Sequence, residues 1–289
     1  MSHDTQQRDA ARQKAIQRLA ITLLAVCTVV VVLPVLFVFG FIIYHGTPGI
    51  SWDFLRLAPS FAGREGGIFP AIIGTFYLMI GTVLVSVPVG ALAAVYLTEY
   101  AKQNRLTRFI NLAIVNLAGV PSIVYGLFGL GFFVMTMDMG MSLIAASLTL
   151  ACQALALVIT AAREALLTIP MEQREASLAL GASKWQTVRH VAIPGALSGI
   201  LTGTVLAMSR AAGETAPILT VGAAFFLPAL PGSPFDQFMA LSYHLYTVTV
   251  HVPGVPKATI WGTALVLLAV VLTFNVAAII MRIRARRKV

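Results

Sequence analysis

Six stretches of this sequence are each long and apolar enough to cross a hydrocarbon core about 30 Å thick, which takes roughly 20 residues of helix. They lie near residues 19–44, 70–98, 109–135, 141–161, 196–226 and 258–281. In lipid every backbone N–H and C=O must bond within the protein, so only helices or closed barrels can fill such stretches. Continuous apolar runs of this length predict helices. Composition agrees: 58% of the 289 residues are hydrophobic and 11% are charged, with mean hydropathy +0.87. A soluble domain carries about 25% charged residues and a disordered chain more, so both classes are excluded. The first stretch is too long for a signal peptide and lacks a small-residue cleavage pattern, which marks it as a retained span. The expectation is an all-α membrane protein with six transmembrane helices.

Charge then sets orientation. The formal net charge is +9 and the pI near 10.0, values that would suggest nucleic acid in a soluble chain. Here the basic residues sit at the ends and in short connections, so no nucleic-acid partner is inferred. Sixteen of the twenty Lys and Arg fall on one side: in the tail 1–18, in the connections after the second and fourth spans, and in the tail 282–289. Three, Arg56, Arg64 and Lys257, fall on the other. The positive-inside rule puts both termini of this multi-pass protein in the cytoplasm. The basic tails suit anionic lipid headgroups, and Glu99, at an inner boundary, is read as facing headgroups. The outer connections are 45–69, a tight turn near Asp138, and 227–257, whose five prolines predict an exposed, partly rigid loop. Residues 19–281 form one six-span domain.

The longest inner connection, 162–195, has the signals of a helix–turn–helix. Pro170 suits a first helical turn, Gly181 a helix stop, and Ser183 the cap of a second helix. Trp185, Val188 and Ala192 then recur as a narrow apolar stripe. Nothing else in the sequence is available to bury that stripe. It is either a docking knob for a partner protein or an interfacial helix lying on lipid.

The run Glu175-Ala176-Ser177-x3-Gly181-x9-Val191-x-Ile193-Pro194 resembles the EAA loop of ABC importer permeases, E-A-A-x3-G-x9-I-x-L-P, with spacing kept throughout. The resemblance implies the type I permease fold and makes 162–195 a cytoplasmic coupling loop. Glu175, Ala176, Gly181, Trp185 and Pro194 are then the residues that engage a separate ATPase. The chain has no G-x-x-x-x-G-K-[ST] phosphate-binding loop, so no ATP hydrolysis is assigned to it. No cofactor is expected in this chain, ATP and Mg being held by the partner ATPase.

The twentieth basic residue is Arg210, inside the fifth span with Glu214 four residues on. Ionisable groups in a span cost about 2.5–3.5 kcal/mol each on insertion scales and are usually functional. At i and i+4 they share a helix face, so Glu214 could simply neutralise Arg210. The functional alternative is an anion path, since a guanidinium offers paired donors to phosphate or carboxylate oxygens. Ala207, Ala211, Ala212 and Gly213 keep that helix slim, and Pro217 predicts a bend.

This stretch, with Ser122 and Tyr125 in Val120-Pro121-Ser122-Ile-Val-Tyr125-Gly126, resembles the PstA-type permease family of phosphate ABC importers over nearly the whole chain. The resemblance implies a bacterial inner-membrane protein in which Arg210 and Glu214 serve phosphate passage. Read from the residues themselves, Ser122, Tyr125 and Thr215 could line a polar path beside them, although such isolated polar side chains often satisfy helix contacts. The resemblance also implies a PstC-type permease, a PstB-type ATPase dimer and a PstS-type phosphate-binding protein as partners. Asn116, Gln153 and Ser209 are further polar candidates. Gly129 and Gly131, the methionines 135, 137, 139 and 141, and Cys27 and Cys152 are read as packing residues. His190, His244 and His251 have no metal-ligand spacing. An importer for sulfate, molybdate or phosphonate, a membrane-embedded lipid-phosphate enzyme and a secondary transporter are the alternatives. The enzyme lacks a reactive cluster and the secondary transporter an internal repeat.

Overall fold

The computed structural model describes residues 3–286, so Arg287 and Lys288 of the basic tail lie outside the described residues. Helix α1, His3–Gly46, runs unbroken through the boundary expected at residue 18. Its apolar stretch is wholly uncovered by the rest of the chain. It is held against the last helix near its end, where the Phe41 ring stands edge-on 5.2 Å from Trp261. Cys27 is exposed on α1 and so packs against nothing described here.

The first connection folds into a short helix α2, Trp52–Arg56, and a two-residue hairpin of β1, Pro59–Ser60, and β2, Glu65–Gly66. They form the one two-stranded sheet among the described residues. Helix α3, Phe69–Val95, continues into a π-helical turn, Tyr96–Tyr100.

The third apolar stretch is not one straight span. Helix α4, Arg105–Ala118, meets α5, Ser122–Gly129, at a 105° bend. Pro121 explains the break, because the residue before a proline is driven out of the α region and its ring lacks a donor. A second π-helical turn follows α5 over Leu130–Thr136, and Asp138 makes the turn at φ 52°.

Helix α6, Leu143–Leu167, is the central rod, with α3 and the fifth span packed against it. Close approach there depends on absent side chains: a Cβ on Gly203 would come within 2.9 Å of the Ala161 methyl, and one on Gly199 would collide with Ala165. Gly129 is similarly forced by Thr149, whereas Gly131 has open space around it. The packing reading therefore holds for Gly129 and fails for Gly131. It fails as well for Met135, Met137 and Met141, which are exposed.

The inner connection carries α7, Met171–Ala179, and α8, Lys184–Thr187. A third π-helical turn, Val188–Ala192, leads without a break into α9, Ile193–Gly213. Pro194 sits in this continuous rod, and the wider turn just before it accommodates the missing N–H. The rod stops at Gly213, well short of the expected end at 226. Glu214 is extended, at φ −71° and ψ 131°, before the short α10, Ala216–Val221.

The 227–257 connection differs most from expectation. After the first three of its prolines the chain dives inward: Phe238, Met239, Ala240 and Leu241 are all buried. They lead into α11, Leu241–Val250. The Leu241 N–H donates to the Thr75 hydroxyl of α3 at 2.9 Å. The apolar run Phe-Met-Ala-Leu overrides the loop signal because burying it against α3 and α6 gains more than exposure. Helix α12, Lys257–Arg286, closes the bundle.

Candidate functional site

Two arginine–glutamate pairs stand out as the ion pairs found among the described residues.

The first pair is in the middle of the bundle. Arg210 Nε donates to Glu214 Oε1 at 3.0 Å, with side-chain exposures of 34% and 16%. The pair is not made along a helix face as the i,i+4 spacing predicts, because Glu214 lies beyond the end of α9. It is made where three elements meet. Gln153 of α6 donates through Nε2 to the same Oε1 at 2.6 Å, and the Ser242 hydroxyl of α11 donates to the Glu214 carbonyl at 2.9 Å. A carboxylate oxygen taking two donors, one of them charged, is held firmly. The two Nη groups of Arg210 make no hydrogen bond among the described residues. Its guanidinium is thus gripped at the root and open at the fork. The Gln153 side chain is 3% exposed and its Oε1 has no partner. One residue before Arg210, the Ser209 hydroxyl lies within bonding reach of the Val205 carbonyl and of Asn275 Oδ1 on α12.

The other residues expected beside Arg210 behave differently. Tyr125 is buried, and its hydroxyl donates to the Leu117 carbonyl at 2.9 Å, spanning the α4–α5 bend. It staples the bend, and its hydroxyl proton is already committed. Ser122 is half-buried at the start of α5, and Thr215 half-buried at the start of α10; neither hydroxyl makes a hydrogen bond among the described residues. Asn116 is exposed on α4. Ala207, Ala211 and Ala212 are buried as the slim-helix reading requires, while Gly213 has open space around it.

The second pair is on the basic side. Arg174 of α7 donates through Nε and Nη2 to Glu99 Oε1 at 3.3 and 2.9 Å. Its Nη1 reaches the Ile169 carbonyl at 2.6 Å and Nη2 the Leu166 carbonyl at 2.8 Å. The exposures are 13% and 10%. Glu99 therefore does not face headgroups; it is the partner of a buried guanidinium. Sequence alone hid this, since 75 residues separate the two.

Around this pair the inner connection builds a compact knob. Gly181 turns the chain at φ +85°, a conformation that costs an L side chain roughly 1–2 kcal/mol. Ser183 caps α8 in a full capping box with Gln186. Pro170 is the cap of α7, one position before the expected first turn. Glu175 and Ala176 are exposed, and Trp185 is 54% exposed. The rest of the predicted stripe is not free: Val188 and Ala192 are each 1% exposed, inside a core shared with Leu97, Leu166 and Ile169. The chain does bury them, because the π-helical turn after α3 and the inner end of α6 run past the expected span ends. Pro194 is half-buried in α9 and lies apart from the exposed face. A cleft of about 770 Å³ opens beside the pair, between α7 and the ends of α3 and α6.

Outside the spans, His244 of α11 is 2% exposed, its Nδ1 has no partner, and burial pushes its pKa down to about 4. Among the described residues no three His, Cys, Asp or Glu could hold a metal together.

Residues 86–288 match the family of binding-protein-dependent transport system inner membrane components. A probable ABC transporter permease protein, YqgI of Bacillus subtilis, is 32% identical over 279 residues, covering 92% of this chain and 95% of that protein. The phosphate transport system permease protein PstA 1 of Mycobacterium tuberculosis H37Rv is 33% identical over 224 residues, 77% of this chain and 72% of that protein. Among solved structures, a bacterial ABC transporter that imports alginate aligns with TM-score 0.62 at 14% identity, over 97% of this chain and 99% of that one. The inward-facing MetNI methionine ABC transporter aligns with TM-score 0.60 at 18% identity, over 75% and 97%. At these identities the structures speak to the fold alone.

Proposed function

Because this chain belongs to the binding-protein-dependent transport system inner membrane component family, we propose that the ABC importer it serves carries inorganic phosphate, with Arg210 as the residue that meets the anion. The chain is a permease subunit with the type I importer fold and is not itself an enzyme; the ATPase is a separate subunit. The observation that carries the phosphate reading is the open fork of Arg210, one-third exposed inside a span with both Nη groups unspent. Two parallel N–H donors match two oxygens of a tetrahedral oxyanion. Glu214 offsets the charge at the root, so the anion is held and also released. The name of the mycobacterial relative supports phosphate over other oxyanions.

In this reading the exposed face of the knob, with Glu175, Ala176, Gly181 and Trp185, enters the ATPase, which holds ATP and Mg. A PstC-type permease completes the path, a PstB-type dimer drives it and a PstS-type protein delivers phosphate from outside. Both termini lie in the cytoplasm, on the side rich in Lys and Arg. Ser122 and Thr215, with free hydroxyls, line the path, and Tyr125 keeps its wall bent.

The test is radiolabelled phosphate uptake by the reconstituted complex with sulfate in excess. ATP-dependent uptake that sulfate leaves intact is the expected result. Uptake suppressed by sulfate, or none at all, would move the cargo to another anion.

A further inference from the structure

The knob has an unusual attachment. Helix α7 buries no apolar side chain of its own, Met171 and Leu178 both being exposed, so no apolar core fixes it to the bundle. It leans on α8 and the π-helical turn behind it, joined there by the Ser177 and Thr187 hydroxyls at 3.0 Å. Apart from the three-residue linker 168–170 that joins it to α6, its hydrogen bonds to α3 and α6 among the described residues come from one side chain. Arg174 makes four hydrogen bonds to three acceptors: the Glu99 carboxylate, in the π-helical turn ending α3, and the Leu166 and Ile169 carbonyls where α6 ends. Carbonyls at a helix C-terminus lack intrahelical donors, and a cation there also matches the helix dipole. Every nitrogen of the guanidinium is engaged, and the plane of the fork fixes their directions. An ammonium could supply the charge but not that geometry.

We propose that Arg174 is a positioning residue, a strut that makes α7 and the inner ends of α3 and α6 move as one body. A displacement imposed on the exposed knob then reaches α6, which carries Gln153, instead of being absorbed by slack between α7 and the bundle. The inference rests on α7 being the ATPase docking element, as proposed above. A buried pair that only added stability would not need acceptors drawn from the ends of two different spans.

Double electron–electron resonance on the full complex tests this, with Cys27 and Cys152 replaced by serine and spin labels at Lys102 and Ala179. Wild type should give one narrow distance distribution, unchanged between nucleotide-free and nucleotide-trapped states. Arg174→Lys, which keeps the charge, and the neutral double variant Glu99→Gln/Arg174→Gln, which leaves no buried charge unpaired, should each broaden it by about twofold through local release of α7. Phosphate moved per ATP should fall about tenfold, within the usual range of coupling between sites. Narrow distributions in both variants, even with a lower folded yield, would reduce the pair to a stabilising contact and overturn the strut. A wild-type distance that changes with nucleotide would overturn it as well. If wild type retains no ATPase on purification, the docking assignment is wrong, and the strut is judged on the nucleotide-free distributions alone.

Discussion

The two arginine–glutamate pairs use the same chemistry to opposite ends. Arg174 has spent every nitrogen on fixed acceptors and sits about one-eighth exposed, at 13%. Arg210 has spent only Nε and is exposed to 34%. A saturated guanidinium can transmit force but cannot take a ligand, whereas an unsaturated one in a span is costly until something occupies its fork. What separates a structural charge from a working one is the number of donors left over, and that number is invisible in a residue count.

Breaking the open pair should have the largest effect on transport. Arg210→Gln should fold and assemble normally yet lower uptake about a thousandfold, the loss of two charge-assisted hydrogen bonds at roughly 1.5–3 kcal/mol each. Uptake by the variant near wild-type level in vesicles would remove Arg210 from the path. The closed pair should respond in stability first. Glu99→Ala strands a buried guanidinium and should cost about 4 kcal/mol, in the range for broken buried pairs, read as a lower thermal midpoint in micelles.

Acid offers a way to strain one pair and leave the other alone. His244 lies two residues from Ser242, which holds the Glu214 carbonyl, and is far from the knob in the chain. Its folded pKa, about 4, lies below the ordinary 6.5. The unfolded chain therefore binds more protons between those values, and stability rises with pH across them. The His244 contribution is complete above about pH 6.5 and should shrink by about 1.4 kcal/mol per pH unit towards pH 4. His244→Gln should flatten that slope in a pH series of thermal midpoints. The smallest effect belongs to Ser242→Ala, which removes one hydrogen bond worth about 1 kcal/mol. Phosphate uptake should fall a few-fold, with the ATP hydrolysis rate unchanged.

Much of this architecture is legible in the residues. The spans follow from apolar length, the knob from Gly181 and Ser183, and the central pair from charge placed in lipid. The misses share a physical cause, which is tertiary competition. Val188 and Ala192 read as an exposed stripe because the reach of α6 and of the π-helical turn after α3 beyond the expected span ends is a property of several elements together. The inward turn at 238–241 was masked by prolines nearby, although its four apolar residues were a usable signal. Glu99 and Arg174 carry complementary charge at two inner boundaries, yet sequence gives no distance between them. Ser242 and Asn275 had no signal, since a lone Ser or Asn in an apolar region more often serves helix contacts.

Helix α6 touches both guanidinium sites: Gln153 stands beside one and the Leu166 carbonyl beneath the other. Between them lies about 20 Å of unbroken helix at 1.5 Å per residue. Over such a lever arm, a tilt of about 10° at the inner end swings the far end by about 3 Å, roughly one hydrogen-bond length. Gearing of that ratio is enough to carry Gln153 off the Glu214 carboxylate and back once per stroke.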